Sequence, residues 1–243
     1  FVKTAKTYEN KDLESAWMEN LKDLNVADQK GLVERFDSTI GATAVLMPFG
    51  GKYALTPTEG MVSKIPLLSG ETNTCTIMTH GYNPKLAKWS PFHGAMYAVI
   101  ESIAKVVALG GDYKNIRLTL QEYFEKLGDD KEKWGKPFSA LLGAFYVQKK
   151  LKIPAIGGKD SMSGTFKDLN VPPTLVSFAV DTTDARKVVS PEFKKENSNI
   201  VFIPLKKDEK SIPNFEELDR NYSRIYELIQ DDKVLAATAV RIG

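Results

Sequence analysis

The chain has 243 residues, 42% of them hydrophobic and 26% charged, and 33 basic residues against 31 acidic ones leave a formal charge of +2. This composition excludes a disordered polar chain and a membrane-embedded one, and the balanced charge gives no net field to favour nucleic acid or an acidic membrane as partner. A single cysteine, Cys75, excludes an internal disulfide framework and a cysteine-rich zinc site, and fits a reducing compartment.

The N-terminal stretch "FVKTAKTYENKDLESAW" has no charged-then-apolar signal pattern, and no apolar run approaches the roughly 20 residues of a spanning helix. The expectation is a cytoplasmic protein, neither inserted nor exported. Residues 12–24, "DLESAWMENLKDL", place Leu13, Trp17, Leu21 and Leu24 at helical spacing and predict a small amphipathic helix. A strand is expected over Ala42–Met47, then a Pro-Phe-Gly-Gly loop and a second extended piece before Thr58. "NTCTIMTHG" reads as a strand ending at His80, with Cys75 as a buried strand residue.

From Pro91 to Gly110, Phe92, Met96, Val99, Ile100, Ile103, Val106 and Val107 recur every three or four residues, and "LGG" closes the run as a glycine cap would. This is a helix. A second helix is expected over 137–150, with a shorter helix and a charged loop in the preceding "LTLQEYFEKLGDDKEKWG". "TLVSFAVD" and "NIVFIPL" read as strands, 215–230 as a helix, and "VLAATAVRIG" as a final strand-like run reaching Gly243. Strands alternating with helices make an α/β or α+β layer structure. The missing initial methionine and the abrupt last strand point to a piece of something longer.

Four groups of residues bear on chemistry. "IPAIGGKDSMSGTF" (153–166) holds Gly157, Gly158, Lys159, Ser161, Ser163 and Gly164: closely spaced glycines that expose backbone N–H groups, a cation and hydroxyls, as a phosphate cradle needs. Asp160 after the lysine breaks the Walker pattern, and the stretch is no dinucleotide fingerprint. Composition alone leaves a plain strand connection equally open. His80 and His93, the only histidines, lie 13 positions apart with few further ligands nearby and read as structural or surface residues. No Gly-x-Ser-x-Gly elbow marks a nucleophile. Glu101 lies four residues before Lys105 in the apolar helix, most simply a surface ion pair.

Taken together, "RFDSTIGATAVLMPFGGKYALTPTEGM", "THGYNPKLAKWSPFHGAMYAVIESIAKVVALGGDY" and "IPAIGGKDSMSGTFKDLNVPPTLVSFAVDTTD" resemble the large multidomain phosphoribosylformylglycinamidine synthases of purine biosynthesis. The resemblance runs from about Leu32 to Gly243 and is most specific in Gly-Gly-Lys-Asp-Ser-Met-Ser-Gly. It implies an enzyme that uses ATP and glutamine-derived ammonia to turn the formyl amide of a ribonucleotide into an amidine. The intact enzyme pairs two aminoimidazole-ribonucleotide-synthetase-like units and carries a glutaminase domain.

By this resemblance the chain is a fragment covering the second unit. Residues 1–40 would be a helical linker, 41–190 the synthetase-like N-terminal domain, a mixed sheet covered by helices, and 198–243 the truncated start of the C-terminal α/β half. The implied partners are the first unit, the glutaminase domain and a ribonucleotide substrate, with homodimerisation possible for the fragment and no nucleic acid or membrane. The implied cofactors of the intact enzyme are ATP or ADP and magnesium, none held tightly by this piece, which would be inactive alone. The loop 157–164 would border a nucleotide site, with Lys159 as phosphate cation, the serines as donors, and Asp160 orienting Lys159 or a metal.

Departures accompany the match. Relatives build an auxiliary metal site from an acid near the end of the strand before the long helix, a Glu-x-x-x-Asn pair on that helix, and an Asp-x-Ser-Asp-Gly-Gly run after the final strand. Here those places hold Thr79–Tyr82, Glu101 with Lys105, and Ala239–Gly243, so only Glu101 remains. The lysine charge would exclude magnesium, leaving that site degenerate. Two other readings stay open: a non-catalytic domain that completes an interface, and a self-pairing nucleotide-binding module of the same fold.

Overall fold

The computed structural model describes residues 12–241 apart from Asp37 and Thr39. The first element, α1 (Leu13–Leu21), starts where Asp12 accepts the Ser15 backbone N–H at 2.9 Å. It buries nothing: Leu13, Trp17 and Leu21 face solvent. A single turn, α2 (Lys30–Val33), follows. The strand expected over Ala42–Met47 does not form. Ile40–Ala42 is a 3₁₀ turn through Gly41 at φ +82°, and Ala44 bridges Ser63 while Val45 N–H donates to the Val62 carbonyl at 2.8 Å, a contact too irregular to make a ladder. Pairing begins later, in the short hairpin β1 (Phe49–Gly50) and β2 (Thr56–Pro57), so half of the anticipated Pro-Phe-Gly-Gly loop is strand.

The main sheet begins with β3 (Met61–Lys64) and β4 (Thr74–Gly81). Along β4, Cys75, Ile77, Thr79 and Gly81 turn inward, the period-two pattern of a half-buried strand. After the short α3 (Pro84–Trp89), Ser90 caps α4 (Pro91–Ala108), which buries 13 of its 18 residues. Its end is the anticipated glycine cap: Gly110 at φ +98° lets the Gly110 and Gly111 N–H groups reach the Val107 and Val106 carbonyls.

The next stretch corrects the sequence reading. Arg117–Tyr123, which overlaps the start of the stretch expected to hold a shorter helix, is strand β5, and the following helix α5 runs Lys131–Leu151. It therefore starts six residues before Pro137, on an Asp130 cap that accepts the Glu132 N–H at 2.9 Å. Pro137 thus lies inside the helix, where it gives up the N–H bond to the turn before it and its ring crowds the Lys133 carbonyl. The remaining strands are β6 (Ala155–Lys159), β7 (Thr165–Phe166), β8 (Leu169–Asn170) and β9 (Thr174–Asp184).

The sheet order is β3-β4-β9-β5-β6. The long β9 pairs antiparallel with both β4 and β5, while β5 and β6 are parallel, so the sheet is mixed. Helices α4 and α5 cover one face, and α6 (Phe215–Gln230) packs on both, burying Leu218, Tyr222 and Ile229. The two strands expected near the C-terminus are not formed among the described residues: "NIVFIPL" has no ladder, and Ile200, Val201 and Phe202 are exposed. An apolar run becomes a strand only where a partner edge accepts its backbone. Ile242 and Gly243, the end of the last expected strand, lie outside the described residues.

One contact sets the spacing of helix and sheet. A Cβ on Gly81 would fall 2.0 Å from the Ala98 carbonyl oxygen, which is fixed helix backbone. Gly81→Ala is therefore expected to cost about 2–3 kcal/mol in urea unfolding. Gly157→Ala, where the added atom meets nothing within 4 Å, should leave the midpoint unchanged.

Candidate functional site

The glycine loop stands at the C-terminal end of the parallel pair β5–β6. The register sets Leu120 beside Gly158 and Gln121 beside Lys159. The chain past β6 stays zipped to the extension of β5: Ser161 N–H donates to the Glu122 carbonyl at 3.1 Å, Phe124 N–H to the Ser161 carbonyl at 2.9 Å, and Gly164 N–H to the Phe124 carbonyl at 2.9 Å. Two of the glycines serve packing. A Cβ on Gly158 would sit 2.3 Å from the Leu120 carbonyl oxygen, and one on Gly164 would sit 2.1 Å from Val171 Cγ1. Gly157 is the open one.

β6 is an edge strand, so the half of its N–H and C=O groups directed away from β5 is available to a ligand. Gly157, Gly158, Lys159 and Asp160 are all exposed along it. The hydroxyls of Ser161 and Ser163 stand 2.8 Å apart and share a hydrogen bond. Among the described residues the Lys159 ammonium makes no hydrogen bond or ion pair. An unpaired cation beside an open glycine backbone is chemically suited to an anion of the phosphate class.

Sequence reasoning missed Glu122. It is only 5% exposed, its Oε1 has no hydrogen-bond partner, and it faces Asp160 across the ladder. Burial, and then the Asp160 charge, push its carboxyl up to about 7. The signal that would have found it is an acid at an inward position of "RLTLQEY", which requires reading that stretch as a strand.

The second cluster lies on the β3–β4 side. Lys105 Nζ sits 2.6 Å from Glu101 Oε1 and donates to the His80 carbonyl at 2.7 Å. With Lys105 2% exposed and the Glu101 side chain 21%, the lysine end of the pair is buried, unlike the surface pair expected. His80, whose imidazole is held below its usual range by partial desolvation and by Lys105, also feels Glu101 and Arg241. Arg241 approaches Glu59 at 4.0 Å, and Glu59 accepts the Thr238 hydroxyl. Among the described residues His80, Glu101, Lys105 and Arg241 thus lie near one another, with the Lys105 ammonium between His80 and Glu101. His93 is structural: Nδ1 bonds Ser90 Oγ at 2.8 Å, and Nε2 lies 2.9 Å from the Lys210 carbonyl. Among the described residues no three His, Cys, Asp or Glu side chains are grouped to hold a metal, and no helix is long and apolar enough to cross a membrane.

No family model matches the chain. Over 200 residues it is 24% identical to phosphoribosylformylglycinamidine synthase subunit PurL of Thermoplasma volcanium, which covers 80% of this chain and 25% of that protein. The PurLQS structure from Thermotoga maritima superposes with a TM-score of 0.61 at 18% identity, over 84% of this chain and 30% of that one. The fold is that of PurL. The PurL of the same organism complexed with AMPPCP gives a TM-score of 0.59 at 18% identity, over 84% of this chain and 31% of that one. The likeness to phosphoribosylformylglycinamidine synthase carried by the motifs therefore holds, as does the mixed sheet covered by helices. The chain spans about a quarter of the curated relative's length.

Two outcomes follow from the buried acids. The folded-state pKa of Glu122 lies above the ordinary 4.5, so the stability it gains from its proton is complete below pH 4.5 and is lost as pH rises through about 7. In chelator, the melting temperature of the wild type should fall between pH 5 and pH 8 relative to that of Glu122→Gln. Glu101→Gln, which strands the Lys105 ammonium, should cost about 3 kcal/mol in urea unfolding. Lys105→Met, which removes the buried charge, should cost less.

Proposed function

We propose that this chain is part of a phosphoribosylformylglycinamidine synthase, corresponding to its second synthetase-like unit. That enzyme is the ATP- and glutamine-dependent ligase that converts formylglycinamide ribonucleotide to the amidine. The observation that carries the reading is the open glycine edge with its unpaired Lys159, on a fold shared with a PurL solved with AMPPCP. In this reading Gly157, Gly158 and Lys159 hold phosphate oxygens of ATP or ADP, with Ser161 and Ser163 as hydroxyl donors. Gly164 closes the loop. ATP would supply the phosphoryl group that activates the substrate amide oxygen.

The auxiliary metal–nucleotide site is degenerate in this reading. Lys105 stands where a cation would, and Glu101 has become its counter-ion. The first unit and a glutaminase domain complete the active enzyme, so this chain alone binds nucleotide weakly and turns nothing over. A second reading, a non-catalytic domain that completes an interface with the first unit or with a second copy of itself, is supported by the exposed Ile200, Val201 and Phe202.

Calorimetric titration of the 243-residue chain with ADP and ATP, with and without magnesium, separates the two. Weak binding reduced tenfold or more in Lys159→Ala is expected, the loss of one charge-assisted contact of about 1.5–3 kcal/mol. No heat from either nucleotide at millimolar concentration would favour the interface reading. Manganese that broadens the His80 ring resonances would overturn the degeneracy of the site at Glu101.

A further inference from the structure

Among the described residues four carboxylates have a fully enclosed oxygen with no partner: Glu59, Glu122, Asp181 and Glu192. Two of them accept a hydrogen bond elsewhere on the carboxylate: Glu59 from the Thr238 hydroxyl and Glu192 from Ser190 Oγ at 2.8 Å. Asp181 feels the Thr182 and Asp112 backbone N–H groups and the Arg117 charge, all of which favour its ionised form. Glu122 is different: no described residue donates to either of its oxygens, and the charged group acting on it is another acid, Asp160.

The shortage is not for want of lysines. Three residues on, Glu125 is bridged by Lys136 and, at 3.6 Å, by Lys133, while Lys159 lies next to Asp160 in the chain and pairs with neither acid. A buried, unbonded carboxyl facing a second carboxyl is costly for the fold unless something positive joins them.

We propose that Glu122 and Asp160 form a divalent-cation site at the C-terminal ends of β5 and β6. The cation is a small hard ion of the magnesium class, shared with the phosphate-type anion on the glycine loop. The register supplies the geometry: Gln121 stands opposite Lys159 and Ser161 N–H bonds the Glu122 carbonyl, so the residues between them, Glu122 and Asp160, are neighbours on one face. Glu122 forms the closed end of the pair and the exposed Asp160 its open end. Two carboxylates with phosphate oxygens and water completing the shell are the usual complement of magnesium. This site is distinct from the cluster at Glu101, across the central strand β9. The sharing of the ion with an anion rests on the phosphate reading of the loop, but the carboxylate pair does not.

The test is manganese binding to the 243-residue chain, followed by the electron paramagnetic resonance of free Mn²⁺, with inorganic pyrophosphate as the anion. Expected are one Mn²⁺ per chain, at least tenfold weaker binding in Glu122→Gln and in Asp160→Asn, and tighter Mn²⁺ binding when pyrophosphate is added. Glu122→Gln removes a buried charge and should stay folded, which its melting curve verifies. Lys159→Ala should lose the pyrophosphate effect and keep Mn²⁺. No stoichiometric Mn²⁺, or an affinity unchanged by Glu122→Gln, would overturn the cation site and leave Glu122 a protonated acid. Mn²⁺ binding lost in Glu122→Gln but indifferent to pyrophosphate would uphold the site and refute the phosphate reading alone.

Discussion

The contact between α4 and the sheet governs the rest of the molecule. Because β4 ends in Gly81 and α4 presents Ala98 to it, backbone meets backbone without an intervening side chain. Polar contacts then fix how the helix is rotated. Thr79 Oγ1 donates to the Ser102 carbonyl at 2.6 Å, and Ser102 Oγ lies 3.0 Å from Ser177 Oγ on β9. A helix held this close cannot turn about its own axis without burying an unpaired hydroxyl. Lys105, one turn further on, is therefore carried under the end of β4, where its ammonium has the His80 carbonyl and Glu101 as partners.

The same rigidity places the glycine loop. β9 separates β4 from β5, so the α4 crossover aligns these two strands in parallel, and α5 does the same for β5 and β6. Residues at the C-terminal ends of β5 and β6 are thereby set side by side on the edge of the layer, where an α/β sheet characteristically leaves room for a ligand. Gly158 allows β6 to approach the Leu120 carbonyl, and Gly164 lets the return chain pass under Val171. The packing glycines hold the loop flat, which leaves Gly157 and Lys159 facing outward.

What could be read from the sequence follows the physics of each element. Pro91–Ala108 was plain because its burial is nearly complete and its period unbroken. β4 and β9 were plain because turn residues bound them. β5 was misread because Arg, Leu, Gln and Glu all favour helix locally, and only the neighbouring strands on both sides make the stretch extended. The start of α5 was misplaced because Pro137 looked like a first-turn proline, whereas Asp130 is the cap. The apolar run at 199–205 lacked a partner edge, and the one at 42–47 meets β3 only in a short irregular contact through Thr43–Leu46 and forms no continuous ladder. The loop was legible as a motif, since glycine, lysine and serine are chemically conspicuous, but the division of its glycines between packing and exposure was not. Glu122 stayed hidden for a derived reason: in a stretch read as helix, it has no cross-strand neighbour.

The two acidic positions show how differently a fold can treat the same electrostatic problem. At Glu101 the neutralising charge is covalently part of the chain, four residues along the same helix, and is shielded from solvent. Such a pair is permanent, because separating it would leave an ammonium in a low-dielectric interior. At Glu122 the chain supplies no counter-charge, although lysines flank it on either side, and one carboxyl is left at the mouth of the pair. A charge balance that is not built into the chain must come from solution, as a proton or as a cation, and both exchange. The Glu101 side is therefore fixed whatever the conditions, while the Glu122 side must respond to what surrounds it, and it does so next to the one unpaired cation of the glycine loop.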